Sequence, residues 1–181
     1  MLTIQMTIPR FENGFPLPDI TGEEIGILLT DEKAVDMAIE NVNWQADDTY
    51  FDAHFQLSIN GELFYENTTT DAYGTWNQLL GATKNRGKHY VLFLDSALSD
   101  LDIIHQHDYT LQYVHVDYIW GDDNHLISRS KKTMTSVPLQ KEVVEEAIRQ
   151  GFQQFASFIL DNDIPISPMY KEELQRHLEE M

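Results

Sequence analysis

The chain has 181 residues, 42% of them hydrophobic and 11% aromatic, a length and apolar content that exclude disorder and suit one domain with its own core. Fourteen acids and two bases in residues 1–80, then sixteen and ten in residues 81–181, make the halves −12 and −6 and the whole −18. Such a field repels nucleic acid and anionic lipid and draws in cationic partners, while the lack of cysteine excludes disulfides, thiolate metal sites and thiol nucleophiles.

Met1 to Ile8 alternates Leu2, Ile4, Met6 and Ile8 with polar residues, the period of a half-buried strand. This start has neither the basic opening nor the continuous apolar run of a signal peptide. No later stretch approaches the ~20 apolar residues of a membrane span. A soluble, cytoplasmic protein is expected. Pro9, Gly14, Pro16 and Pro18 then interrupt the pattern, Glu24 to Thr30 reads as a second strand, and Asp31 to Val42 fits either a short helix or a further strand.

From Phe51 to Ile59 apolar and polar residues alternate again up to Asn60-Gly61, the pair that populates the positive φ angles of a tight hairpin turn, so Glu62 to Asn67 should fold back antiparallel. Asp71 is a candidate N-cap for a helix to Thr83 with Tyr73, Trp76, Leu79 and Leu80 along one side. Strands are expected at His89 to Leu94, Tyr109 to Trp120 and Leu126 to Lys132, the last two joined through Gly121-Asp122-Asp123-Asn124. Connections this short leave no room for a crossover helix, so the pairing should be antiparallel.

After Pro138 the period becomes helical, with Val144, Ile148, Phe152, Phe155, Phe158 and Ile159 in one stripe. Ser167-Pro168 opens a last helix carrying Leu174 and Leu178. The sum is a single α+β domain over residues 1–181, an antiparallel meander with a long C-terminal helix packed on one face. Residues 165–181 form a terminal helix that could dock on a neighbour.

Chemistry is sparse. His105 and His107 lie two apart, as do His115 and Asp117, the spacing that puts two ligands on one face of a strand, so a small metal-dependent hydrolase using these four residues is one alternative. Solvated or hydrogen-bonded histidines are the competing reading. Asp100, Asp102, Asp122 and Asp123 could supply an acid–base pair, although thirty acids make such pairs inevitable. Nucleophile-elbow, phosphate-loop, dinucleotide-turn and zinc-helix motifs are absent. Nothing calls for a cofactor. The basic groups Lys84, Arg86, Lys88 and Arg129, Lys131, Lys132 are too small for a phosphate-binding stripe against the overall charge.

Acids beside aromatics are the remaining feature: Asp47, Asp48 and Asp52 before the hairpin, Glu62 and Glu66 on its second strand, then Asp71 with Tyr73 and Trp76. Aromatics at the centre of an interface supply binding energy, and carboxylates around them speed the approach of a basic partner. The same residues also fit a core helix inside a solubility shell. An acidic mimic of nucleic acid is a further alternative, but it would need carboxylates in phosphate-like rows.

The run Phe55-Gln-Leu-Ser-Ile-Asn-Gly-Glu-Leu-Phe-Tyr-Glu66, followed by a helix holding Trp76, Leu79 and Leu80 and a strand-rich middle with a helical tail, resembles small bacterial immunity proteins that accompany wall-associated polymorphic toxins. The resemblance implies a non-enzymatic cytoplasmic inhibitor that masks a basic toxin domain, often a nuclease, with the hairpin and following helix as the contact region and no direct contact with nucleic acid or membrane.

Overall fold

The computed structural model describes residues 1–12, 15–16, 26–45, 48–69, 71–93, 100–120 and 126–181. Leu2, Ile4, Met6 and Ile8 all project from one side of β1 (Leu2–Pro9) and all are buried. Two short strands, β2 (Phe11–Glu12) and β3 (Phe15–Pro16), pair with each other. The second strand expected at Glu24 to Thr30 is β4, confined to Gly26–Leu28. The segment that suited either helix or strand is helix α1 (Ala34–Trp44), and its buried set of Ala34, Ala38, Asn41 and Val42 mixes steps of three and four residues, which a helix gathers on one face and a strand would divide between two.

The hairpin forms as Asn-Gly requires. Strands β5 (Ala53–Ile59) and β6 (Glu62–Thr69) meet at Asn60 and Gly61, whose φ angles of 55° and 85° are both left-handed. The register passes from Leu57↔Tyr65 to Ser58↔Leu63, so Phe64 is a bulge residue. The shift turns Tyr65 and Asn67 into the core and leaves Leu63 exposed. The first sheet is antiparallel in the order β4-β1-β5-β6, with Ile4 opposite Leu57 and Met6 opposite Phe55.

Helix α2 (Ala72–Lys84) starts where the Asp71 carboxylate accepts the Gly74 N–H at 2.8 Å. A second antiparallel sheet follows, a meander ordered β10-β9-β8-β7 and built from β7 (Gly87–Val91), β8 (Leu101–His105), β9 (Tyr109–Trp120) and β10 (Leu126–Thr135). The sequence pattern indicates three of these strands and misses β8. Its inward residues, Leu101 and Ile103, are fully buried between its two neighbours. Only Tyr109–Tyr113 of β9 pair with β8, whereas β10 pairs with Gln112–Trp120, so the two long strands continue together as a ribbon. The turn expected at 121–124 lies outside the described residues.

Helix α3 (Lys141–Asp161) lies on β1, and α4 (Pro168–Glu180) lies on α3. Ser167 Oγ caps α4 by accepting the Tyr170 N–H at 3.3 Å, with Pro168 at the first position. The buried face of α4, which carries Tyr170, Leu174 and His177, is used within the chain. Phe55 against Phe93 at 5.2 Å and Tyr65 against Tyr113 at 4.9 Å join the two sheets into one core. Among the described residues no helix is long and apolar enough to cross a membrane.

Trp76 sits at the centre with no exposed surface, its ring centroid 6.5 Å from Phe55, 6.1 Å from Phe152 and 6.4 Å from Phe155. Gly151 lets α3 approach, because a Cβ there would stand 2.5 Å from both the Ile4 carbonyl oxygen and the edge of the Trp76 ring. A backbone oxygen in a ladder cannot swing aside. Overpacking of ~1–3 kcal/mol or more therefore outweighs the ~1 kcal/mol alanine gains over glycine in a helix interior. Gly151→Ala is expected to lower the urea midpoint of unfolding, and an unchanged or raised midpoint would contradict this packing.

Candidate acidic interaction surface

The residues singled out from sequence divide between three environments. Asp47 lies outside the described residues. Asp48 is exposed, and its carbonyl oxygen accepts the Ser167 N–H at 2.9 Å. Asp52 is half-buried and held by its backbone: Asn41 donates from Nδ2 to the Asp52 oxygen at 2.9 Å and accepts the Asp52 N–H through Oδ1 at 3.3 Å. Asp71 is near them through a bridge to Phe51, but its carboxylate is committed to capping α2.

Glu62 is exposed at the hairpin end of β6, about 20 Å from Asp52 along the length of β5. Glu66 lies between them, its Oε2 3.3 Å from Nε2 of the buried His54 on β5. The hairpin acids therefore do not gather at one point. Antiparallel strands carry Glu62 away from Asp48 as surely as they bring Asp71 near.

The two aromatic anchors expected from sequence are corrected by the fold. Trp76 has no exposed surface and cannot touch a partner, since α2 turns it into the space between the first sheet and α3. Tyr73 is half-buried and joins helices instead: its hydroxyl donates to Glu173 Oε2 at 2.8 Å and lies 3.1 Å from His177 Nδ1, and its ring packs on Tyr170 at 5.6 Å.

Among the described residues, the large aromatics exposed in the acidic half are Trp44, 47% exposed, and Tyr50, 45% exposed. They flank Asp48 in the connection from α1 to β5. On the outer side of α1, Asp36 and Glu40 precede Trp44 at one-turn intervals, and residues 31–52 hold seven acids against Lys33 alone. Glu40 is half-buried there, and its Oε2 is shut off from solvent without a donor among the described residues.

Hydrogen bonds hold the surface from its underside. Asn41 is fully buried on the inner side of α1, receives Gln45 Nε2 at 2.9 Å and holds both backbone groups of Asp52. Ser167 fixes Asp48 from the start of α4. The connection is thus tied near both of its ends and once between. The signal was present in the sequence: Asp36, Glu40 and Trp44 are four apart, opposite the alanines, but it is readable only if the segment is helical.

The histidines do not converge. His105 ends β8 with its ring buried against Tyr109 at 4.3 Å, while His107 is exposed in the following turn. His115 lies six residues along β9 from Tyr109, the residue opposite His105, which places it about 20 Å away. The Asp117 side chain lies outside those described. No group of three His, Asp or Glu suited to a metal ion occurs among the described residues. Asp102, a candidate for an acid–base pair, takes Lys88 Nζ at 2.8 Å, and Asp122 and Asp123 lie outside the described residues. No protein-family model, no curated protein and no solved structure matches this chain.

Two outcomes follow from these contacts. Asn41→Ala removes the amide that bonds the Asp52 N–H and carbonyl and should cost about 1–3 kcal/mol, with faster amide exchange at Gln45 and in residues 48–52. Exchange unchanged in that segment would show that Asn41 does not hold it. Burial, then the neighbouring Glu173 carboxylate, pushes the Tyr73 hydroxyl from near 10 up to about 12. A group whose folded value is raised stabilises the fold below its unfolded value and loses that contribution as pH climbs through the folded one. Stability should fall between about pH 10 and 12. Tyr73→Phe should flatten part of that fall, and a pH profile identical to that of the parent protein would refute the assignment.

Proposed function

We propose that this chain is an immunity-type inhibitor that binds and neutralises a basic toxin domain, a nuclease, through the acidic surface formed by α1 and the connection to β5. The observation that supports this reading is the exposure of Trp44 and Tyr50 among Asp36, Glu40 and Asp48, with Lys33 as the nearby base. Large aromatics exposed to water are a standing cost that a partner's surface removes, and Trp and Tyr dominate measured binding energy at interface centres. Carboxylates around them raise the encounter rate with a cationic groove and reject anionic competitors. A nuclease must hold phosphates, so its substrate groove offers the complementary charge. The loop ties to Asn41 and Ser167 hold the surface in one shape before binding, which reduces the entropy lost on association. Nothing in such a role depends on an oxidising compartment, which agrees with a cytoplasmic inhibitor without cysteine.

The reading is tested by co-expression with the product of the open reading frame beside this gene: that product should arrest growth of the host when expressed alone, and this chain should restore it. In binding kinetics, Asp36→Lys with Asp48→Lys should slow association about tenfold at low salt, an effect that fades as ionic strength rises toward about 1 M. Trp44→Ala should act mainly on dissociation, at a cost of about 2 kcal/mol or more. An unchanged association rate in the charge-reversed variant, or unimpaired binding in Trp44→Ala, would remove this surface from consideration.

A further inference from the structure

A cleft of about 460 Å³ opens where the turn between β8 and β9 meets the start of α3, its walls including Arg86, His105, His107, Asp108, Lys141 and Glu142. Three ties build it. Gly87 pairs with His105 across β7 and β8, the His105 ring bonds to the Asn85 carbonyl at 2.9 Å, and Tyr109 and Leu139 exchange two backbone hydrogen bonds of 2.8 Å. The last of these sets Gln140 and the first turn of α3 beside residues 106–108.

One side of the cleft donates. The 21-residue α3 begins without a side-chain cap, and the Lys141 and Glu142 amides have no acceptor among the described residues. The positive end of a long helix and two free N–H groups favour an oxyanion. Arg86 adds an exposed guanidinium that forms no ion pair among the described residues, a fork suited to phosphate.

The other side accepts. His105 is 4% exposed, and because its Nδ1 faces a carbonyl oxygen that can only accept, Nδ1 donates, a bond that selects the tautomer with its lone pair on Nε2. That nitrogen has no partner among the described residues, although the ring lines the cleft. Stacking on Tyr109, at 4.3 Å and 14° between the planes, fixes its direction. The Asp108 and Glu142 carboxylates are further acceptors on the walls. A bare dianion would gain from Arg86 and α3 but meet these acceptors with nothing to donate. Hydroxyl groups next to a phosphate would satisfy both sides, and the volume is that of a small-molecule site, larger than one ion needs.

The geometry points to a binding site for a small hydroxylated phosphate monoester, with Arg86 and the Lys141 and Glu142 amides on the phosphate and His105 Nε2, Asp108 and Glu142 accepting from the hydroxyls. It lies on the second sheet and the start of α3, apart from α1, and does not depend on the toxin-binding proposal.

The test is an amide and imidazole nitrogen NMR titration of the whole protein with a hexose phosphate, with inorganic phosphate and with the free hexose. The hexose phosphate should give saturable shifts centred on the Lys141 and Glu142 amides and the His105 ring. Inorganic phosphate should bind about tenfold more weakly, and the free hexose without saturation. Arg86→Ala, at an exposed position whose loss leaves the fold intact, should weaken the hexose phosphate about tenfold, with part of the loss recovered in Arg86→Lys. No saturable shift, equal affinity for hexose phosphate and inorganic phosphate, shifts centred on Lys131 and Lys132, or undiminished binding in Arg86→Ala would each overturn the assignment.

Discussion

The close seat of α3 on β1 around Trp76 is the constraint on which the rest depends. With Gly151 beneath the Ile4 carbonyl, the helix comes near enough for Phe152 and Phe155 to meet the indole that α2 supplies and Phe55 covers from the first sheet. Four elements distant in sequence thereby share one ring. Among the described residues the indole Nε1 has no acceptor, so the site keeps a desolvated N–H in exchange for the area of the largest side chain in the core. Such a contact forms only when the sheet, α2 and α3 are all in place, which makes their folding a common event.

From that centre the structure separates its charges. The first sheet and α1 take the acid-rich half, and Lys33 and Arg10 are its two bases. The second sheet and its approaches carry Lys84, Arg86 and Lys88 on one side and Arg129, Lys131 and Lys132 on the strand farthest away. A chain charged −18 overall thus has one surface where a cation meets almost uniform carboxylate, and one cleft where donors and acceptors are balanced. The two surfaces call for different ligands, and each is held by backbone ties. Asn41 and Ser167 hold the connection from α1 to β5, and the Tyr109 and Leu139 pair holds the first turn of α3 against the meander.

Much of the architecture was legible because it is written in local chemistry. Asn60-Gly61 specifies a turn by its φ angles, Asp71 and Ser167-Pro168 specify helix starts by their capping groups, and the stripe from Val144 to Ile159 has the period of a helix and no other. β8 escaped because five residues with acids before and histidines after show too little alternation to stand out. Its strand character comes from Leu101 and Ile103 closing against two neighbours. α1 stayed ambiguous for a related reason: alanine, valine and isoleucine at short spacing satisfy both periods, and the helix is decided by the joint burial of Ala34, Ala38, Asn41 and Val42.

The candidate surface was legible in charge and not in anchors. Composition alone determined that the leading half would be acidic, that no disulfide or thiolate chemistry was open to the chain, and that a hairpin would follow Asp52, since these are properties of residue types and of adjacent pairs. Which tryptophan meets water was a tertiary decision. Trp76 and Trp44 each stand beside acids in sequence, yet one faces the crossing of α2 and α3 and the other the open side of α1. Burial is a property of what else arrives at a position: Phe152 and Phe155 arrive at Trp76 from a helix far along the chain, whereas Trp44 keeps about half of its surface in water.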